Sequence, residues 1–229
     1  QLPRCYQPND RQRRIGAATD RRRWGLPAEA FVFCSFNANY KITPQVFDRW
    51  CSLLRQVDDA VLWLFETNAQ ARRNLQQELR RRGIDPGRLY WGPGLNLSEH
   101  LARIRLADLF LDTLPVNAHT TASDALWAGL PVLTVRGQSF VARVAASLLG
   151  AAGLPELVAE DLDHYERIAL ELARDRGRLA ALRRRLAGQR DRCALFDSAQ
   201  YTRDLEALYA RMVERHDRGL APEHLPAMP

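Results

Sequence analysis

Lys41 is the single lysine among 33 basic residues. This chain uses arginine wherever a generic surface cation is wanted. One compact ammonium then marks a place where a planar guanidinium would not serve, unless it is a chance survivor. Lys41 closes the stretch Phe36-Asn37-Ala38-Asn39-Tyr40-Lys41, which follows an apolar run of strand length, FVFCSFN at 31–37. A lysine in such a loop can neutralise a diphosphate, both bound and as a departing group.

A second cluster is the run DTLPVNAHTT at 112–121. A helix is predicted from 121, and a helix N-terminus offers free N–H groups and partial positive charge to an anion. The hydroxyls of Thr120 and Thr121 and the imidazole of His119 add donors at the same place. A purely local reading is also open: Thr121 followed by Asp124 has the form of a capping box, with Asp in place of Glu.

His100 and Arg103 fall one turn apart on a predicted helix, 98–105, capped by Ser98. Both side chains can stack on or hydrogen-bond to a nucleobase, and an ordinary surface helix would carry the same pair. Asp108 and Asp112 lie near a strand end without a third carboxylate at metal spacing, so no metal site is expected. Cys5, Cys34, Cys51 and Cys193 form no CxxC pair and read as reduced thiols of a cytoplasmic protein. GxGxxG, P-loop and HExxH patterns do not occur.

The elements that position these residues follow from periodicity. Strands are predicted at 31–37, 60–65, 89–91, 107–112 and 131–135, with a sixth at 157–158. Helices are predicted after Thr43, with Pro44 at the first position, and at 69–82, 98–105, 121–128, 140–149, 163–173, 176–190 and 198–218. Short apolar strands alternating with helices predict an α/β fold, a Rossmann-like doubly wound parallel sheet covered on both faces. Ligands of such sheets bind beyond the carboxyl ends of the strands. Residues 1–27 read as a linker, 28–190 as the Rossmann-like domain, and 191–229 as a C-terminal helix and tail.

The chain has 229 residues, 46% of them hydrophobic, and a net charge of +6, which suits one α/β domain. Arginine runs at 11–23, 72–82 and 174–192 are interleaved with acids, and solvated helix faces account for most of them. No signal peptide or membrane span is seen, so no membrane partner is expected.

Taken together, FNANYKITP, RLYWGPGLNLSEHLARIRLADLFLDTLPVNAHTTASDALWAGLPVLT, SFVARVAASLL and LFDSAQYTRDLEALY resemble the C-terminal catalytic half of protein O-linked N-acetylglucosamine transferases, glycosyltransferase family 41, in its bacterial form. The likeness runs over nearly the whole chain. It implies a GT-B architecture and an inverting, metal-independent transfer of N-acetylglucosamine from UDP-GlcNAc to Ser or Thr of a protein acceptor. It further implies that Lys41, His119, Thr120 and Thr121 hold the diphosphate. Asp124 would reach the ribose, and His100, Arg103 and the backbone near Leu95 would hold the uracil. The sequence departs from the family pattern at Ala38, where relatives carry Gln, and at Leu97, where they carry Lys. The family's other catalytic half and its tetratricopeptide repeats are expected in the same polypeptide, and this part alone is expected to bind nucleotide but catalyse little.

Besides a degenerate family member that only binds UDP, two rivals stand beside that expectation. One is another GT-B enzyme, such as a protein O-fucosyltransferase using GDP-fucose or a UDP-sugar epimerase. The other is a non-enzymatic, Arg-rich nucleic-acid-binding module, which would need aromatics exposed beside its arginines. Trp50, Trp63 and Phe65 instead fall at core-like positions, so no nucleic acid is expected.

Overall fold

The computed structural model describes residues 2–227. Six strands form one sheet: β1 Phe31–Ser35, β2 Ala60–Phe65, β3 Leu89–Gly92, β4 Leu109–Leu111, β5 Val132–Val135 and β6 Val158–Ala159. Their spatial order is β3-β2-β1-β4-β5-β6, and every pairing is parallel. Every residue of β1, β4 and β5 is buried. Apolar runs without alternation are what a sheet covered on both faces requires.

Among the described residues eight α-helices accompany the strands: α1 Pro44–Gln56, α2 Ala69–Arg81, α3 Leu97–Ile104, α4 Thr120–Ala128, α5 Val144–Ala151, α6 Leu162–Arg174, α7 Arg176–Gln189 and α8 Ser198–Asp217. Helix α1 packs on α6, and α6 on α7, while α3 packs on α4 and α4 on α5. Helix α1 starts as expected, with Thr43 as cap and Pro44 at its first position. It buries Val46, Phe47, Trp50, Cys51, Leu53 and Leu54.

Several predicted boundaries move. The cap of α3 is Asn96, whose Oδ1 accepts the Glu99 N–H at 3.0 Å, so the helix begins before Ser98. The segment predicted as one helix at 140–149 splits into a 3-10 turn, Phe140–Ala142, and α5. Leu157 ends a 3-10 turn and β6 follows it.

The core aromatics are where the pattern put them. Trp50 and Trp63 are fully buried, and Phe65 packs partly buried against the core. Trp50 Nε1 donates to the Tyr165 hydroxyl at 3.1 Å, which donates to the Asp112 carbonyl at 3.0 Å. That chain of bonds ties α1 and α6 to the carboxyl end of β4.

The segment at 2–27 holds only a 3-10 turn, Arg22–Trp24, but it is packed down as a strap. Cys5, Asn9 and Leu26 are buried. Gly16 N–H donates to the Ser98 carbonyl at 2.9 Å, and a Cβ there would lie 2.9 Å from that same oxygen. Arg21 donates to the Leu106, Ala28 and Ala30 carbonyls and to Asp108. The long helix α8 buries no residue fully and reaches the strap through Tyr201 on the Tyr6 carbonyl and Asp204 on Arg4. None of the described helices is long and apolar enough to cross a membrane.

Candidate functional site

The strand order reverses between β1 and β4, with β2 and β3 to one side and β5 and β6 to the other. The crevice beyond their carboxyl ends is where an open parallel sheet takes its ligand. Two segments meet there: the loop after β1, which ends in Lys41, and the loop after β4, which leads into α4.

Lys41 Nζ donates to the Asn117 carbonyl at 2.9 Å, so the two loops are joined through the lone lysine. Burial pushes the ammonium's pKa below its ordinary value, and the negative charge of Asp112 partly offsets this. A half-buried ammonium with one fixed backbone acceptor keeps two further donors for an anion.

Helix α4 opens at Thr120 with His119 as its N-cap residue, and no side chain caps it. The first backbone N–H groups of a helix have no partner within it, so this end is electropositive and open. Thr120 is exposed and Thr121 half-buried. The capping box does not form: Thr121 Oγ1 donates to Asn37 Oδ1 at 2.9 Å, and Asp124 is taken by Arg13. Tertiary partners outcompeted the local motif.

His119 Nδ1 lies 3.3 Å from the Tyr6 hydroxyl, and its buried Nε2 has no hydrogen bond of good geometry. Burial, then the nearby Lys41 charge, lowers its pKa, and the Val141 carbonyl opposes the drop. The ring therefore stays neutral beside the ammonium.

Beneath both loops lies Asp112, fully buried at the end of β4. Its Oδ1 accepts the Thr113 N–H at 2.7 Å, the Ala118 N–H at 2.6 Å and Asn37 Nδ2 at 3.3 Å; its Oδ2 accepts the Thr134 hydroxyl at 2.6 Å. Burial raises this carboxyl from 3.8 to about 6, against the pull of those donors.

The third group sits after β3. Arg103 is 1% exposed. Its Nη1 donates to the Pro93 carbonyl at 2.6 Å and its Nη2 to His100 Nδ1 at 2.9 Å, and its guanidinium lies 4.7 Å from the Phe36 ring centre. A guanidinium has no lone pair to offer, so His100 Nδ1 must be the acceptor and the imidazole proton sits on Nε2. Burial and the Arg103 charge bring His100 down to about 4, so it is neutral at pH 7. Gly92 permits this packing: a Cβ there would come 2.7 Å from Phe36 Cε1. Arg103 thus fixes the loop that carries Leu95 and orients His100, rather than lying open on a helix surface.

Lys41, His119, Thr120 and Thr121 are gathered in one crevice, and His100 is linked to the same loop by its ring contact with Phe36. Asp124, expected to reach a ribose, is in this structure engaged with Arg13 at 2.6 Å and 8% exposed at its side chain. The residues sequence reasoning missed are Tyr6, Arg13, Asn37, Asp112 and Asn117. Polar residues at the ends of apolar strands were the available signal for Asn37 and Asp112. Among the described residues, no group of three or more His, Cys, Asp or Glu is placed to hold a metal ion.

Comparison with known proteins bears on the family and the fold. The family model described as glycosyl transferase family 41 matches residues 7–205. A UDP-N-acetylglucosamine–peptide N-acetylglucosaminyltransferase of Caenorhabditis elegans is 39% identical over 90% of this chain and 18% of its own length. The Arabidopsis thaliana probable enzyme of that name, SEC, is 35% identical over 97% of this chain and 24% of its own length. The chain thus spans about a quarter or less of these curated relatives. Among solved structures, a Thermobaculum terrenum O-GlcNAc transferase mutant superposes with a TM-score of 0.83 at 34% identity, over 92% of this chain and 40% of that one. An Anabaena protein solved with UDP and glucose shares the fold at a TM-score of 0.62 and 15% identity, over 89% of this chain and 56% of that one.

Proposed function

The chain belongs to glycosyltransferase family 41, and from that membership we propose that it is the UDP-sugar-binding part of an enzyme that moves N-acetylglucosamine from UDP-GlcNAc to Ser or Thr of a protein. The observation that carries this reading is the meeting of Lys41 with the open N-terminus of α4 at the point where the strand order reverses. A nucleoside diphosphate leaving group needs positive charge at its second phosphate, and here an ammonium and a helix end supply it. With these groups in place the reaction has no need of a metal, and we propose that it uses none.

In this reading the His100 Nε2–H and the backbone near Leu95 hold the uracil. The acceptor hydroxyl attacks the anomeric carbon from the face opposite the diphosphate, so the configuration inverts. As the bond to the β-phosphate oxygen breaks, negative charge collects where Lys41, the Thr120 hydroxyl and the free backbone N–H groups at the start of α4 can meet it. The group that takes the acceptor proton is assigned to the part of the polypeptide outside this chain, as is most of the acceptor groove.

Calorimetry tests the reading. The chain should bind UDP about tenfold or more tightly than UMP, because the second phosphate adds a charge-assisted contact, and EDTA should leave that binding unchanged. Equal affinities would remove the diphosphate assignment. Preference for GDP over UDP would transfer the reading to an enzyme using a GDP-sugar, such as a protein O-fucosyltransferase, and chelator-sensitive binding would bring in a metal.

A further inference from the structure

We propose that Asn37 and Asp112, neither of which has to touch a ligand, are positioning residues that set Lys41 and, through Thr121, the backbone N–H groups at the start of α4 for the second phosphate of a nucleoside diphosphate. The inference rests on the UDP-binding reading above and deepens it.

Asp112 is an unusual choice for a purely structural post. It is 3% exposed, and every one of its side-chain contacts is a neutral donor. A buried carboxylate without a cation against it costs stability. What it supplies in return is tight geometry, because hydrogen bonds to an ionised acceptor are the short, strong kind. Those bonds close the loop after β4 upon itself: Oδ1 grips the N–H groups of Thr113 and Ala118, at its two ends.

Inside the closed loop, Thr113 Oγ1 donates to the Val116 carbonyl at 2.7 Å and Asn117 Nδ2 donates to the Thr113 carbonyl at 2.9 Å. The Asn117 carbonyl is thereby aimed at Lys41 Nζ. After Ala118 come His119, at the cap of α4, and Thr120, its first residue.

Asn37 carries the same geometry to the other side. Its Nδ2 donates to Asp112 Oδ1 at 3.3 Å and to Thr113 Oγ1 at 3.0 Å, while its Oδ1 accepts the Thr121 hydroxyl at 2.9 Å. One buried amide thus reads the Asp112 carboxylate with its donor end and orients Thr121 with its acceptor end. Thr121 stands one hydrogen bond from this pair, and Lys41 three, through Asn117 and Thr113.

The distinguishing measurement is the ratio of UDP to UMP affinity, taken by calorimetry on the chain as it stands, with circular dichroism and thermal unfolding alongside. General damage weakens both nucleotides together; lost positioning at the second phosphate weakens only UDP. Asn37→Ala should bring a wild-type preference of about tenfold down to within about threefold of unity, with UMP affinity held within about twofold. Asp112→Asn replaces the ionised acceptor that holds Asn37 and the Thr113 and Ala118 N–H groups with a neutral one, and should lower the ratio in the same direction, with UMP affinity again held within about twofold. Should Asn37→Ala fail to fold, Thr113→Val, close to isosteric, removes the hydroxyl that anchors Asn37 and reads the same ratio. An Asn37, Asp112 or Thr113 variant that keeps the wild-type preference, or that weakens UDP and UMP alike, overturns the inference. Wild-type protein with no preference for UDP would instead sink the diphosphate reading itself, and this inference with it.

Discussion

Arg13 Nη1 lies 2.6 Å from Asp124 Oδ1, with the two side chains 11% and 8% exposed. The contact joins the strap that precedes the first strand to the helix whose N-terminus forms the candidate site. Arg13 also donates to the Ser123 hydroxyl at 3.0 Å and lies over the rings of Trp127 and Phe196. A residue from an aperiodic, arginine-rich stretch thus holds the first turns of α4 in place.

Removing one partner of a buried pair leaves the other charge buried and alone, which costs about 3 kcal/mol. Arg13→Met should therefore lower the denaturation midpoint by that order. Asp124→Asn, which keeps an acceptor for the guanidinium, should lower it by less. Equal midpoints for wild type and Arg13→Met would mean that the strap contributes nothing to α4.

Asp112 gives stability a pH dependence of defined sign. Its carboxyl rises from 3.8 to about 6 on folding, chiefly because burial disfavours the charge. Lys41 and Tyr165 are the titratable groups that feel this charge. The folded state's tighter hold on the proton is a stabilisation fully present below about pH 3.8 and lost as pH rises through about 6; at neutral pH the loss amounts to roughly 3 kcal/mol. Asp112→Asn should remove that slope. Denaturant midpoints at pH 4.5 and 7.5 will show it: the wild type should weaken more than the variant over that interval. Parallel behaviour of the two proteins would place the titration elsewhere.

Much of this architecture was legible because its physics is local. Strands buried on both faces read as unbroken apolar runs, and Thr43-Pro44 announces the start of α1. Lys41 stood out by composition and by its loop. What stayed hidden depended on partners far along the chain. Asn96 and Ser98 are both good caps two residues apart, and only the structure shows that Asn96 takes the Glu99 N–H. Thr121 and Asp124 had the spacing of a capping box, but Asn37 and Arg13 claim them. Arg103 looked like a surface arginine because nothing in sequence tells that three aromatic rings and a carbonyl surround it. The strap looked like a linker for the same reason: arginines that bond to backbone carbonyls leave no periodic trace.

His100 provides a spectroscopic prediction. With Arg103 donating to Nδ1, the imidazole should be locked as the Nε2–H tautomer and stay neutral at pH 6, since its pKa is lowered to about 4 by burial and by the Arg103 charge. A depressed pKa of this kind contributes stability above about 6.5 that is lost as pH falls toward 4. Nitrogen-15 spectra should show an unprotonated Nδ1 at pH 6, and Arg103→Met should release the preference. A doubly protonated ring at pH 6 would contradict the contact.

The sharpest prediction concerns Lys41→Arg. By composition it is the mildest of changes, because every other basic residue of this chain is already arginine. The structure says otherwise. Nζ occupies one donor position, 2.9 Å from the Asn117 carbonyl, in a half-buried setting whose walls are fixed by Asp112 and Asn37. A guanidinium is wider and flat, and cannot present a compact charge from that point. In the enzyme with its other catalytic part joined, Lys41→Arg should lose about tenfold or more in kcat/KM, or at least ~1.4 kcal/mol of transition-state stabilisation. In the proposed reaction, charge on the departing diphosphate grows toward the transition state, so most of the loss should fall on kcat. Folding should not change, because the ammonium makes one protein contact at the edge of the sheet. The control is Arg73→Lys on α2, where the arginine bonds only to Gln70 one turn earlier at the exposed surface. If Lys41→Arg is as silent as that control, the lone lysine is an accident of composition and its place in the reaction is lost.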